Sequence, residues 1–264
     1  MEYLVAHCRR IKTAVGLRNV ASHNSRTAVY DEKFRPLGKT PDYIDPASGK
    51  YNEGDRPPPE AVLKRRNDRI REANLIRKPQ KNASQAVEVV ITATQSWFVR
   101  HISLDEEKTV KAFFADARKA LNERFGADNL LQWNVHYDEK TPHMHLLYVP
   151  IVQTEKGNKY SADAMLGNRK TMEEFQDYMI AKLGKKYGLD RGVRGSKARH
   201  TDQYSYAKQI REKEEELKAS ERSIELREAK LREAEKMVRA QVDALNDRDR
   251  ERVMRKVQDN YRER

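Results

Sequence analysis

The chain has 264 residues, with 53 Lys and Arg against 41 Asp and Glu, and a formal net charge of +12. Only 38% of residues are hydrophobic, mean hydropathy is −0.97, and no apolar run approaches the roughly 18 residues of a spanning helix, so an integral membrane protein is excluded; the first ten residues also lack the apolar core of a signal peptide. A single cysteine, Cys8, excludes an intramolecular disulfide framework and fits a reducing, cytoplasmic setting, while the basic excess points to nucleic acid before an anionic membrane surface.

In chain order, residues 3–11 mix apolar and basic side chains and predict an opening strand. Residues 17–29 suit a helix with a polar face. Residues 31–59 are rich in Pro, Gly, Asp and Lys and predict a long loop, of a length that is usually functional or disordered. Pro57, Pro58 and Pro59 lead into a helix running to residue 75, since proline is tolerated in a first turn. The β-branched run 86–94 predicts a strand. Ser103-Leu104-Asp105-Glu106 has the form of a capping box and predicts a helix to Phe125. Strands are expected at 131–137 and 144–152, joined by a short turn, and a helix at 171–187 with Met172, Phe175, Tyr178, Met179 and Leu183 on one face. Residues 188–200 form a basic, Gly-containing link. The mixed order with hairpin-like pairing predicts an α+β fold, with a central antiparallel sheet flanked by helices.

The chain is expected to divide near residue 200. Residues 201–264 hold 17 Lys and Arg against 16 Asp and Glu, a net of +1, which leaves +11 on residues 1–200. That first part also holds every proline, both tryptophans and all seven histidines. The tail has no Gly or Pro and predicts one long charged helix, supported by pairs such as Glu214–Lys218 and Glu228–Arg232. Ile210, Leu217, Ile224, Leu231, Val238 and Leu245 recur every seven residues. Three positions on lie Lys213, Ser220, Arg227, Ala234, Gln241 and Arg248, so any coiled coil, and any homodimer built on it, is weak.

The most informative stretch is His136-Tyr137-Asp138-Glu139-Lys140-Thr141-Pro142-His143-Met144-His145. His143 and His145 are two apart on a strand, so both rings leave the same face. The turn-forming run 138–142 folds the strand of His136 back beside them. Three neutral imidazoles with an open position make a catalytic divalent-metal site. Glu139 and Asp138 stand near enough to be a fourth ligand, an orienting group or a base. Imidazole ligands alone do not choose among Mn, Zn, Ni and Co. The spacing differs from the helical His-Glu-x-x-His of zinc proteases.

His143-Met144-His145 resembles the His-apolar-His signature of the HUH single-strand DNA endonucleases. The whole run 136–145 is similar to the third motif of the Mob/Pre plasmid mobilisation relaxases, the MobV class. Tyr3-Leu4-Val5-Ala6 and His23-Asn24-Ser25-Arg26 resemble that family's first motif. Ile44-Asp45-Pro46 with Asn52 resembles the second, although Glu53-Gly54 replaces its apolar continuation. Arg191-Gly192, Ser196-Lys197 and His200 resemble its end-of-domain segment. The resemblance covers about the first 200 residues. It implies metal-dependent, strand-specific nicking at an origin of transfer, a protein–5′-phosphate intermediate and a free 3′-OH. It implies His23 as nucleophile, Arg26 as a phosphate-holding group on the same helical face, and Glu139 as the group that orients His23 or takes its proton. His136, His143 and His145 would hold the metal, Mn²⁺ before Mg²⁺. Asn24, Asn52, Arg77 and Lys197 are candidate DNA contacts. Partners would be single-stranded and hairpin origin DNA, and conjugation coupling machinery.

Trp97, Tyr43 and Tyr51 are candidates to stack on unpaired bases, whereas Trp133 is expected in the core. Two other readings compete. A related HUH replication initiator would use a tyrosine on a later helix, Tyr178 or Tyr187. A non-enzymatic DNA-binding protein with a helical oligomerisation tail would use the histidines for a structural metal. If His23 is not the nucleophile, Tyr30, Tyr43 or Tyr51 takes its place.

Overall fold

A computed structural model describes residues 2–27, 43–103, 106–192, 203–244 and 247–262. The chain falls into two units, residues 1–197 and 198–264.

The first unit is built on a six-stranded sheet. In chain order its strands are β1 (Tyr3–Ile11), β2 (Glu53–Gly54), β3 (Ala86–Ala93), β4 (Leu130–His136), β5 (His143–Tyr148) and, after a separate hairpin, β8 (Asp190–Arg191). The spatial order is β2-β4-β5-β3-β1-β8. The central pairs are antiparallel, and only β8 runs parallel to its neighbour β1. The sheet is thus mixed at one edge and antiparallel where the histidines sit.

Alternation along the strands gives the sheet two unlike faces. Val87, Val89 and Ile91 of β3 and Met144, Leu146 and Tyr148 of β5 point to one side and are fully buried. Helices α3 (Gln95–Ser103), α4 (Glu107–Phe125) and α6 (Arg169–Tyr187) supply Trp97, Phe98, Phe113, Leu121, Phe175, Met179 and Leu183 to the same cluster. Helices α1 (Ala14–Ser25) and α2 (Pro59–Glu72) serve the second cluster, where Leu17, Ala21 and Val62 pack with Ile11, Ala86, Leu147 and Val149. Caps suit these boundaries. The Thr13 hydroxyl accepts the Gly16 amide at 2.9 Å, and Asn168 accepts from Thr171 at the start of α6. Pro59 opens α2 from its first turn.

Three expectations are corrected. The helix expected from Ser103 is two helices. Ser103 closes α3, which exists because Trp97 and Phe98 find a core to fill, and α4 starts at Glu107 with no side-chain cap from Glu106. Leu104 and Asp105 lie outside the described residues. The strand expected over 144–152 stops at Tyr148, two residues before Pro150, which has no N–H to donate to a ladder. Residues 151–160 form their own hairpin, β6 (Ile151–Thr154) with β7 (Gly157–Tyr160), leading to the short α5 (Ala162–Leu166). Inside the expected long loop, β2 pairs with β4, Gly54 opposite Asn134. Gly54 has φ +131°, and a Cβ there would stand 2.3 Å from the Trp133 carbonyl oxygen. Close approach of the two strands therefore requires the glycine that departs from the family pattern.

The second unit comprises α7 (Gln203–Asp243) and α8 (Asp247–Arg262). The expected single helix is thus described as two, with Leu245 outside the described residues. Ile224, Leu231 and Val238 are 53%, 61% and 58% exposed, so at these three positions the heptad stripe is open. No described helix is long and apolar enough to cross a membrane.

Candidate metal centre and nucleophile

The strand register brings the three predicted ligands together. His136 is directly opposite His143, and Asn134 opposite His145. The rings of His136, His143 and His145 lie 5.2, 4.9 and 4.8 Å apart between centroids. Each ring has one nitrogen already committed. His136 Nε2–H donates to the Asn24 carbonyl at 2.9 Å. His143 Nδ1–H donates to the Thr141 carbonyl at 2.8 Å. His145 Nδ1–H donates to the Glu88 carboxylate at 2.9 Å. Carbonyl and carboxylate oxygens only accept, so these bonds fix the tautomers. The remaining atoms, His136 Nδ1, His143 Nε2 and His145 Nε2, are buried without a partner. Three buried lone pairs that nothing among the described residues satisfies fit a divalent ion. Burial first, then Arg26 and the neighbouring imidazoles, hold His136 well below its ordinary pKa. Burial and His145 lower His143 to about 4. Both are therefore neutral and competent as ligands near pH 7.

His23 sits at the end of α1, above the same face. Its ring lies 5.5 Å from those of His136 and His145, and its Nε2 is 3.9 Å from Glu139. Its side chain is one-third exposed. Burial and then the Arg26 charge lower its pKa to about 3. His23 thus carries a free lone pair at neutral pH, as a nucleophile must.

Arg26 departs from expectation. It does not share a helical face with His23. It caps α1 in the left-handed region, φ 56°, with its N–H on the His23 carbonyl. It is 1% exposed. Its Nε and Nη2 meet Asp138 at 3.1 and 2.9 Å, a two-pronged pair, and Nη2 also meets Glu139. Two carboxylates outweigh the burial penalty and raise its pKa further. Positive φ costs a non-glycine residue energy, and the buried ion pairs hold it there. Arg26 thereby ties the end of α1 to the β4–β5 turn. Burial raises Glu139, but His143 and Arg26 outweigh it and keep the carboxyl below its ordinary value.

The second-motif segment braces that turn. The Asp45 amide donates to the Asp138 carbonyl at 2.7 Å, and Asn52 accepts the Tyr137 amide at 2.7 Å. Asn24 is 2% exposed, with both side-chain polar atoms unpartnered. Asn24 and Asn52 thus both stand beside this turn, each with a side-chain nitrogen buried without a partner among the described residues. Arg77 is exposed in the bend after α2. Lys197 lies outside the described residues, as do Tyr30, Ser196 and His200. Trp97 is fully buried and donates its indole N–H to the Tyr187 carbonyl at 2.8 Å, so it is core and not a stacking platform. Trp133 packs half-buried against the core with the Arg118 guanidinium 3.8 Å above its ring. Tyr43 and Tyr51 remain exposed, at 41% and 57%. Burial, then Glu139, raise the Tyr43 phenol, the opposite of what a phenolate nucleophile needs. Tyr178 and Tyr187 lie on α6, which covers the face of the sheet away from the histidines.

Sequence reasoning missed Glu88 and Ser25. Glu88 is 1% exposed and joins His145 to Arg9. Burial opposes its charge, but His145 and Arg9 win and lower it to about 2. Its signal was a lone carboxylate inside an otherwise apolar strand. Ser25 accepts from Gln132 at 2.7 Å and donates to the Pro57 carbonyl at 2.7 Å, seating the end of α1 on β4.

Comparison with known proteins places this geometry. Residues 1–208 match the Mob_Pre family, described as plasmid recombination enzyme. The plasmid recombination enzyme type 2 of Staphylococcus aureus (strain Mu50 / ATCC 700699) is 31% identical over 217 residues, 81% of this chain and 47% of that protein. The type 3 enzyme of Staphylococcus aureus is 38% identical over 117 residues, 44% of this chain and 27% of that protein. The chain thus spans about a quarter to a half of the length of these curated relatives. Among solved structures, the MobM relaxase domain bound to plasmid pMV158 oriT DNA, in an Mn-bound crystal structure at pH 6.8, matches with a TM-score of 0.61 at 28% identity. That match covers 79% of this chain and 99% of the other. A second Mn-bound crystal structure of that domain, with a 23-nucleotide oriT DNA at pH 6.5, gives 0.58 at 27% identity. With its histidine-bearing sheet inside the matched segment, the chain belongs to the Mob/Pre family of plasmid recombination enzymes.

Proposed function

We propose that the first unit is a relaxase: it nicks one DNA strand at an origin of transfer and stays attached to the 5′-phosphate. The carrying observation is the neutral His23 beside three imidazoles whose tautomers are fixed, whose rings lie within 5.2 Å of one another and each of which keeps one buried nitrogen free. The DNA-bound, Mn-bound relaxase domain that the chain resembles supports the same reading.

A divalent ion held by His136, His143 and His145, Mn²⁺ before Mg²⁺, would offset the charge that builds on the scissile phosphate. The chain's own residues do the rest. The His23 lone pair attacks phosphorus, a P–N bond forms, the P–O3′ bond breaks, and the 3′-oxygen leaves and takes a proton from water to become the 3′-OH. Glu139, 3.9 Å from His23 Nε2, orients the ring and balances the charge it gains. Arg26 keeps Glu139 ionised and holds α1 against the turn. Glu88 fixes the His145 tautomer from behind. The +11 charge of residues 1–200 supplies the grip on a single strand, with exposed Arg77, Tyr43 and Tyr51 as its contacts and Lys197 as a further candidate. The protein acts in the cytoplasm on single-stranded and hairpin origin DNA. Dimerisation through the heptad stripe of α7 and docking to conjugation coupling machinery are the remaining partner proposals.

A tyrosine-using replication initiator is disfavoured, because Tyr178 and Tyr187 sit on the far face of the sheet. The test is cleavage of a cognate origin oligonucleotide with added Mn²⁺, by the wild type and by His143→Ala. Cleavage by the wild type alone is expected, and equal cleavage by both would sink the metal site.

A further inference from the structure

The potential ligands in the pocket fall into two overlapping sets. His136, Glu139 and His143 bring one ligand atom each within 4.8 Å of one another, and so do His23, His136 and His145. His136 belongs to both. His23 meets His136 and His145 edge-on, with interplanar angles of 77° and 79°. Its ring also differs from the other three in how it is held. Each of those has a nitrogen locked by a bond of 2.8 to 2.9 Å. Arg26 Nη1 instead stands 3.4 Å from both nitrogens of His23, so it lies across the ring and occupies neither lone pair well. The His23 lone pair is therefore available to whatever cation the pocket holds.

We propose that in the DNA-free protein His23 is itself a ligand of the divalent ion, alongside His136 and His145, and that an incoming phosphodiester takes its place. This rests on the metal reading above. At a dication a neutral imidazole and an anionic phosphate oxygen compete for one position, and charge favours the anion. Exchange breaks one coordinate bond and forms another, with no proton or electron transferred. The imidazole is then released next to the phosphorus it attacks. The nucleophile is masked without substrate and unmasked by the substrate itself.

The experiment uses the full chain with Mn²⁺ alone, read by pulsed EPR for histidine nitrogen couplings and by calorimetry for affinity. His23→Ala is expected to lose one coupled nitrogen and to bind Mn²⁺ roughly tenfold more weakly, the lower end of what even outer-sphere partners contribute. His23→Gln, which keeps bulk without an imidazole, should show the same loss. A loss confined to the alanine chain would mark a packing defect and overturn the proposal. Equal nitrogen counts and affinities in wild type and both variants overturn it while leaving the metal site standing. Failure of the wild type to bind Mn²⁺ overturns both. Saturating inorganic phosphate added to the wild type should introduce a phosphorus coupling and remove one nitrogen. Retention of every nitrogen would overturn the displacement.

Discussion

The two faces of the central sheet are made by alternate residues of the same strands, yet they do opposite work. On one side, Val87, Val89, Ile91, Met144, Leu146 and Tyr148 meet helices α3, α4 and α6 in a continuous apolar core. On the other, Glu88, Thr92, Gln132, Asn134, His136, His143 and His145 form a polar field beside the smaller cluster under α1 and α2. A slip of one residue in β5 would exchange the two sets. The apolar face therefore does more than hold the molecule together. It fixes the register that sets His143 opposite His136. The polar face spends stability, because several of its buried atoms have no partner among the described residues.

The largest expected effect tests the chemical side of this contrast. His23→Phe should cut covalent adduct formation by on the order of 10⁴- to 10⁶-fold, the scale of a lost nucleophile, with melting temperature and oligonucleotide affinity nearly unchanged. Adduct detected by mass spectrometry on a tyrosine would move the nucleophile to Tyr30, Tyr43 or Tyr51. Phe175→Ala probes the other face. Removing a fully buried aromatic should cost about 3–5 kcal/mol of folding free energy, measured by urea unfolding. Nicking per folded molecule should stay near wild type. If activity fell ahead of stability, the two faces would not be separable.

Glu88→Gln tests the seam between them, since Glu88 sits on an apolar strand and holds His145. A neutral amide can still accept from His145 Nδ1, but it polarises the ring less. Mn²⁺ affinity should fall roughly 10- to 100-fold, while the melting temperature of the metal-free protein moves little. Acid should also act mainly through the polar face. His23 and His143 titrate at about 3 and about 4 when folded, against an ordinary 6.5. The unfolded chain therefore binds their protons first, and stability is lost as pH falls from about 6.5 towards those values. Glu88, at about 2 against 4.5, adds a loss below about pH 4.5. The metal-free melting temperature should drop steadily between about pH 7 and pH 4. A rise on acidification would contradict the neutral assignment.

How much of this could be read in advance follows from range in sequence. His143 and His145 declare a shared face through their spacing, and the turn at 138–142 brings His136 with them, all within ten residues. The left-handed turn at Arg26 was hidden, because no glycine marks it and its cause is Asp138, 112 residues away. The role of Glu88 was equally hidden, since its partner His145 is 57 residues on and Arg9 is 79 residues back. Helix α3 is short, and its aromatics fit a core or a DNA platform equally well until Tyr187 and Phe113 close around Trp97. Local periodicity reveals the histidine cluster. The groups that orient them are tertiary.

The smallest expected effect concerns the tail. Residues 201–264 carry a net of +1 against +11 on residues 1–200, so α7 and α8 add dense charge but little net attraction for a polyanion. A chain ending near residue 200 should bind single-stranded DNA within about threefold of the full chain. Its dependence of log K on log salt concentration should keep the same slope, because that slope counts neutralised phosphates. The comparison is best made at two salt concentrations, with circular dichroism as the check on folding. A shortened chain that remained folded, lost most of its affinity and showed a flatter slope would place the phosphate contacts on the helices. A loss of affinity with the slope intact would instead favour the α7 stripe joining two chains on one strand, since pairing raises avidity without adding contacts per protomer.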